Sequence, residues 1–460
     1  MEDGDIFIMN DPYLGGTHLP DIALIMPIFE SGVPIAFSAA MTHHQDVGGM
    51  TPGSVPTNAT EIFQEGIRIP PLKYYSRGEV NSTLIKILRL NVRLPDSFEG
   101  DLNAQVAACQ IGRRRLVSLA EKYGAVKIKY IFSELLDRSE IMTRDAIKDL
   151  PNGMFSHVDY LDNDGVDLDM AIKINVNVKI DDDEIYLDFT GTNKQVKGPF
   201  NLMPSGAYAA AYFAVHAMID ADVPINGGCF RPISLKLPER SILNPEEPAA
   251  VNARTSTMKR VAGCITSALG KADPPRAVAD AAGELLLLAF GGEREDGSRY
   301  VVGELVASGS GASEGMDGVD VIETDGTNCM NLPIEALELD VPIRINKTEL
   351  RKGSGGAGKF RGGLGIIREY EVLKGEVIFT HRGERHAYAA QGISSGGAGA
   401  LAQSVIHRLD GTSEVINSKI IRKLQPGDRV VVETAGGGGY GDIKERSQQS
   451  VIADQVNRKS

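Results

Sequence analysis

Apolar and polar positions follow three different rhythms along this chain. Ile6-Phe7-Ile8-Met9 opens as a short strand, and Ile22 to Phe29 and Val33 to Met41 form two more. Glu30-Ser31-Gly32 between them predicts a hairpin-type connection. From 80 to 150 the spacing turns helical. Leu84, Ile87, Leu88 and Leu90 mark one helix, which Pro95 is expected to end. Leu102, Val106, Cys109, Ile111 and Leu116 to Leu119 mark a longer second helix, and Ile131, Leu135 and Leu136 a third. These stripes are core positions, with no cofactor role.

From Gly153 the period becomes two. Residues 171–180 alternate cleanly, Asp181-Asp182-Asp183 turns, and 184–189 returns, which predicts an antiparallel hairpin with one wet face. An Ala/Tyr/Phe-rich helix is expected over 205–222, and another over 258–269. The apolar run 284–290 precedes a Gly/Ser/acid-rich stretch, 291–319, expected to be an irregular insertion. Short strands at 377–380, 405–407 and 429–432 with glycine-rich turns predict a compact β region. The expected fold class is α+β and multidomain, with mixed and antiparallel sheets. Its parts are 1–150, 151–350, a β-rich 351–445, and a polar tail, 446–460, expected to be frayed.

Composition narrows the class. The chain has 460 residues, 42% hydrophobic and 24% charged, enough for several cores. A net charge of −13 disfavours binding through phosphate neutralisation, so no nucleic-acid partner is expected. Arg113-Arg114-Arg115 lies late in a helical pattern, where basic residues suit the dipole. The four cysteines are scattered without a CxxC, which fits a reducing, cytoplasmic setting. No apolar span is long enough to predict a transmembrane helix, and Met1-Glu2-Asp3-Gly4-Asp5 is no signal peptide.

Three of the eight histidines fall at the two ends of the first hairpin, with Asp11, Asp21 and Asp46 beside them. Imidazoles and carboxylates converging from loops are what a divalent metal needs. His18 and Asp21 flank Pro20 in one tight turn. The chain runs out along one strand and back along the next, which returns His43 to the same end. His18, Asp21 and His43 are therefore the candidate ligands. His44 and Asp46 are candidates to hold a ligand imidazole in its tautomer. Asp11 is equally suited to an Asx turn before Pro12. Glu65, in the Pro-rich loop 50–72, is a further candidate, although an ordinary solvated turn explains it as well. Arg231 and Arg254 are weak candidates for anchoring an anion. Asp162-Asn163-Asp164-Gly165 lacks the later ligands of a calcium loop and predicts a turn. Cys329, with no accompanying His motif, is expected to be a buried structural cysteine.

Several of these segments carry a resemblance. Asn10-Asp11-Pro12-Tyr13, Gly15 to Asp21, His43 to Gly49 and Glu65 to Pro71 resemble the hydantoinase B/oxoprolinase family over nearly the whole chain. The resemblance implies a B-type subunit of an ATP-dependent amidohydrolase that opens hydantoin-like or lactam rings. A partner A-type subunit, using ATP and Mg, would phosphorylate the amide oxygen. The B-type chain would then promote attack by water, in a cytoplasmic hetero-oligomer. A divalent metal (zinc, manganese or iron) would sit on His18, Asp21 and His43, with Asp46 or His44 moving the proton. Two alternatives stay open: a subunit of an acetone- or acetophenone-type carboxylase acting on a ketone-derived intermediate, and a non-catalytic scaffold for the ATP-using partner. Family members carry a further segment ahead of the Gly-Asp matching Gly4-Asp5, so the N-terminal part is expected to be truncated at its start.

Gly353-Ser354-Gly355-Gly356-Ala357-Gly358-Lys359 fits the first part of a phosphate-binding P-loop. Phe360 then stands where Ser or Thr should hold magnesium, and no strand-then-helix frame surrounds it. The purified chain alone is therefore expected to show no ATPase activity. ATP turnover by the isolated chain that disappears in Lys359→Ala would contradict this.

Overall fold

The computed structural model describes residues 1–219 and 222–459. Strands β1 (Ile6–Met9), β2 (Asp21–Glu30), β3 (Val33–His43), β4 (Leu72–Ser76) and β5 (Glu79–Val80) form an antiparallel sheet in the order β3-β2-β1-β4-β5. Ile8 and Leu24 face each other across β1 and β2, and both are fully buried. With Ile22 and Met26 they meet Phe98, Leu102, Val106 and Cys109 in one core cluster. Those four lie on α2 (Pro95–Tyr123), which follows α1 (Ser82–Asn91) and precedes α3 (Ala125–Lys148). Pro95 ends the first helical stripe and also starts α2, because a first-turn residue needs no N–H. The Arg113-Arg114-Arg115 run sits inside α2 rather than at its end, and Arg113 pairs with Asp3 at 3.0 Å.

A second sheet, β6 (Gly153–Leu161), β7 (Ile172–Asp181), β8 (Glu184–Asp188), then β9 (Ile233–Lys236), is antiparallel except for the parallel β8–β9 pair. Ile172, Ile174, Val176, Val178 and Ile180 of β7 are buried in a core shared with α4 (Pro204–Met218) and α5 (Arg254–Ala272). The helix expected over 205–222 thus runs to Met218; positions 220 and 221 lie outside the described residues.

The remaining strands are β10 (Leu286–Glu293), β11 (Arg299–Val306), β12 (Ile343–Leu350), β13 (Ile366–Val372), β14 (Val377–Arg382), β15 (Gln403–His407), β16 (Ser413–Val415), β17 (Lys419–Leu424) and β18 (Arg429–Glu433). They form two facing sheets, β11-β10-β14-β17 and β12-β13-β18-β15-β16. One apolar core joins them, with Phe290 and Tyr370 ring centroids 5.2 Å apart across it. The sandwich therefore begins near residue 286, ahead of the expected boundary at 351, and 291–319 is not wholly irregular because it contains β11. Alternation explains the unbroken apolar run of β10. Leu286, Leu288 and Phe290 enter the sandwich, while Leu287 and Ala289 on the other face pack against Val55. Helix α6 (Ile334–Asp340) leads into β12.

The polar tail is folded over 446–459 rather than frayed. Ser447 caps α7 (Gln448–Val456), and Arg446 ties the helix down through Asp454 at 2.7 Å and Asp317 at 2.8 Å. Between the units, Asp159 on β6 receives Arg260 of α5 at 2.7 Å and Arg385 of the sandwich at 3.1 Å. Asp162 accepts the backbone N–H groups of His386 and Ala387, so the candidate turn at 162–165 is part of this seam. The fold is α+β, and no helix among the described residues is long and apolar enough to cross a membrane.

Candidate functional site

The turn before β2 is assembled by a buried side chain. Asn10 donates to the carbonyls of Leu19 (2.8 Å) and Ile67 (3.0 Å) and accepts from the Ile69 amide (2.7 Å). This holds residues 17–21 against the 65–69 loop. Asp21 then faces His43 directly across β2 and β3, so their side chains share one side of the hairpin. His18 reaches the same point from the preceding turn. One ligand atom from each of His18, Asp21 and His43 lies within 4.8 Å of the others. His18 Nδ1 is 2.9 Å from Asp21 Oδ2 yet makes no hydrogen bond. Two donor atoms converging without hydrogen-bond geometry fit a shared cation.

Charge at this point is tightly controlled. Burial alone would raise the Asp21 pKa, but contacts with His18, Arg254 and Thr17 outweigh it and hold the carboxyl far below its ordinary range. Arg254 and the Thr17 hydroxyl both donate to Asp21 Oδ2. Burial, reinforced by Arg254, pushes the His18 pKa down to about 3. His43 is also lowered by burial, although its ring opens toward solvent in the cavity. Both imidazoles are therefore neutral near pH 7, the form that offers a lone pair.

His18 and His43 line a cavity of about 720 Å³. Its floor is the outer face of the sandwich, where Leu287 pairs with Leu305 and Ala289 with Gly303. Arg382 of β14 stands opposite Leu287, on the same face. Arg254 and Met258 of α5, Asp101 of α2, Thr327 and Cys329 also line the cavity. Cys329 is exposed, contrary to the expectation of a buried structural thiol.

Of the other sequence candidates, Arg254 joins the trio through Asp21, while the rest lie apart from it. Asp46 is buried, and its carboxylate accepts from Gly48 N (3.0 Å), Gly53 N (3.0 Å), Arg93 N (3.0 Å) and Arg93 Nη1 (2.9 Å). A carboxylate so engaged shapes its loop; the proton-moving role expected for it does not fit. That loop needs Gly48, whose φ is 87° and whose Cβ would lie 2.5 Å from Asn91 O. His44 points to the opposite side of the hairpin. Its Nε2 is 3.1 Å from Gln105 Oε1, while Gln105 Nε2 donates to Ile22 O and Ala40 O. Gln105 therefore offers an acceptor, His44 Nε2 carries the hydrogen, and a direct catalytic role for His44 is not supported. Asp11 makes the Asx turn, accepting from Tyr13 N at 2.9 Å, and pairs with Arg68. Arg231 pairs with Asp137 and Glu140, away from the cavity. Lys359 reaches Glu445 at 3.4 Å, and the glycine-rich stretch before it leads into extended backbone without a helix.

Comparison with known proteins decides the family. The sequence profile described as Hydantoinase B/oxoprolinase matches residues 1–443. This chain belongs to that family. It is 37% identical over 460 residues to an uncharacterised protein of Methanocaldococcus jannaschii, covering 100% of this chain and 80% of that one. It is 34% identical to the B-type subunit of a putative D-/L-hydantoinase of Pseudomonas sp. (strain NS671), covering 99% and 78%. The crystal structure of ATP-dependent caprolactamase from Pseudomonas jessenii matches with a TM-score of 0.87 at 30% identity, covering 100% and 81%. The nucleotide-free acetone carboxylase structure matches with a TM-score of 0.89 at 20% identity, covering 99% and 67%, a likeness of fold.

In this hydantoinase B/oxoprolinase chain, Glu65 is fully buried outside the cavity lining and joins two units. Its carboxyl accepts from Val251 N (2.9 Å) and Asn252 N (2.8 Å). Burial raises its pKa to about 8, against the pull of those amides and of Arg382. The folded state thus holds a proton that the unfolded chain has released above about pH 4.5. Stability contributed by this group is full below that pH and declines as pH rises toward about 8. Urea titrations between these limits should show that decline, and Glu65→Gln, which keeps the acceptor without the charge, should flatten it. An unchanged slope in Glu65→Gln would contradict the assignment.

Proposed function

We propose that this chain is the B-type subunit of an ATP-dependent amidohydrolase that opens a hydantoin-like or lactam ring. The observation carrying the reading is the cavity itself: a donor set of two neutral imidazoles and one carboxylate on one wall facing an apolar floor of Leu287, Ala289 and Leu305. The relatives named as a hydantoinase and a caprolactamase support the same reaction class. A ring amide is resonance-stabilised and resists water. An ATP-using partner would transfer a phosphoryl group to the amide oxygen, converting that oxygen into part of a leaving group. Water then adds to the ring carbon, the C–N bond of the tetrahedral adduct breaks to release the amine and leave an acyl phosphate, and a second water hydrolyses that acyl phosphate to carboxylate and inorganic phosphate.

Residues of this chain divide the work. Leu287, Ala289 and Leu305 seat the ring's apolar edge and limit bulk water. Arg254 fixes the Asp21 carboxylate, and Asn10 fixes the turn that carries His18. A divalent metal held by His18, Asp21 and His43 would supply Lewis-acid polarisation. Zinc, manganese and iron all suit this nitrogen and oxygen set. Asp101, an exposed carboxylate of α2 on the cavity lining, is the group assigned to accept the proton of the attacking water in place of Asp46 and His44.

Co-expression with an A-type partner should give ATP-dependent opening of hydantoins or lactams, with neither chain active alone. Turnover of ketones with bicarbonate, and none of cyclic amides, would overturn the reading in favour of a carboxylase. Elemental analysis tests the donor set separately. His18→Ala, Asp21→Ala and His43→Ala, each confirmed folded, should weaken metal binding by at least about tenfold, while His44→Ala should retain it. Full occupancy in the first three variants would refute the assignment.

A further inference from the structure

Arg382 is the buried cation that the reaction scheme leaves unused. It is about 95% buried, with a residue exposure of 5%. Among the described residues no carboxylate forms an ion pair with it. Its Nη1 donates to Asn252 Oδ1 at 3.1 Å, and Nε and Nη2 have no acceptor among the described residues. The guanidinium lies on the face of β14 that lines the cavity, beside the floor leucines and within electrostatic reach of His43. Glu65 is the acid within range, and its oxygens are turned to the backbone of 251–252. Burial and Arg254 lower the Arg382 pKa only to about 10, so it stays charged near neutrality.

Burying an unpaired charge is costly, and a protein tolerates it where a ligand completes the pair. Arg254, the other guanidinium of the cavity, is already committed to Asp21, and Asn252 holds Arg382, itself a lining residue, by one nitrogen. The acids on the cavity lining, Asp101 and Asp340, are exposed, where solvent screens them. We propose that Arg382 is the oxyanion anchor of the cavity, binding a phosphoryl oxygen of the activated substrate through its free nitrogens. This deepens the ring-opening reading and rests on it. A substrate carboxylate offers the same chemistry, and the test separates the two.

Cys329 gives the readout, because it is the exposed cysteine and lines the same cavity, whereas Cys109, Cys229 and Cys264 are buried. The full chain is alkylated with uncharged iodoacetamide at fixed pH, and modification of Cys329 is followed by peptide mass spectrometry. The native protein, Arg382→Lys and Arg382→Gln are compared at matched metal content and confirmed fold. Millimolar inorganic phosphate should slow alkylation of the native protein by about fivefold or more, as saturation of a site requires. Arg382→Gln should show almost no slowing. Arg382→Lys, which keeps charge but loses the fork, should fall between and keeps the test decisive where the neutral variant does not fold. Equal slowing in all three proteins, or none in the native protein, would overturn the anchor. Protection by acetate with none by phosphate would overturn the phosphoryl assignment. ATP-dependent ring opening that persists without phosphate protection would remove the anchor alone and leave the ring-opening reading standing.

Discussion

Asp21 and His43 oppose each other across β2 and β3, and a slip of one residue would put His44 where His43 now stands. The side-chain period of two makes the register a chemical constraint as well as a structural one. Burial of Ile22, Leu24 and Met26 against α2 selects the face. Gln105 of α2 sharpens the choice, since its amide donates to Ile22 O on one strand and Ala40 O on the other while its carbonyl receives His44. A slipped hairpin would lose these bonds inside the core, where an unmet polar group costs about 1–3 kcal/mol. His44 therefore serves the site by marking the side that His43 must avoid.

Asp21 carries the second constraint. It accepts from Arg254 at the start of α5, so the first sheet and the central unit meet at the carboxylate that completes the donor set. Both side chains are nearly buried, and a lone charge left there would be heavily penalised. Glu65 repeats this seam a short distance away with backbone amides in place of a guanidinium. The hairpin, α5 and the 251–252 turn are thus registered to one another by polar contacts that tolerate little displacement.

Local pattern made part of this legible. The hairpin was readable from two apolar runs around Glu30-Ser31-Gly32, and the convergence of His18, Asp21 and His43 followed from its return. The helical block and the β7–β8 hairpin were also open to periodicity. Proximity in sequence misled for Asp46 and His44, because loop carboxylates cap backbone amides as readily as they move protons and a neighbouring residue points to the opposite side. Arg382 was missed, since nothing local distinguishes a strand arginine facing solvent from one facing a cavity built by distant segments. Its signal was the polar run Thr380 to His386 following an apolar strand. The same blindness to long-range pairing hid β11 inside a Gly- and acid-rich stretch and helix α7 inside a polar tail. A single buried aspartate, Asp454, and its Arg446 partner secure the latter.

The cavity is assembled from all three units, each with its own contribution. The N-terminal hairpin supplies neutral nitrogens and an anionic oxygen, α5 supplies the guanidinium that fixes that oxygen, and the sandwich supplies an apolar floor with Arg382. Electrostatic interactions strengthen as water is excluded, so the floor does more than seat a ring: it lowers the local dielectric around the polar groups beside it. Strand β10 is what permits the arrangement. Its alternate residues fill the sandwich core on one side and floor the cavity on the other, so the packing that stabilises the C-terminal unit also fixes the height of the floor beneath His18 and His43. A site divided in this way cannot form in any one unit folded alone, because the donors, the guanidiniums and the apolar surface come together only at the seam.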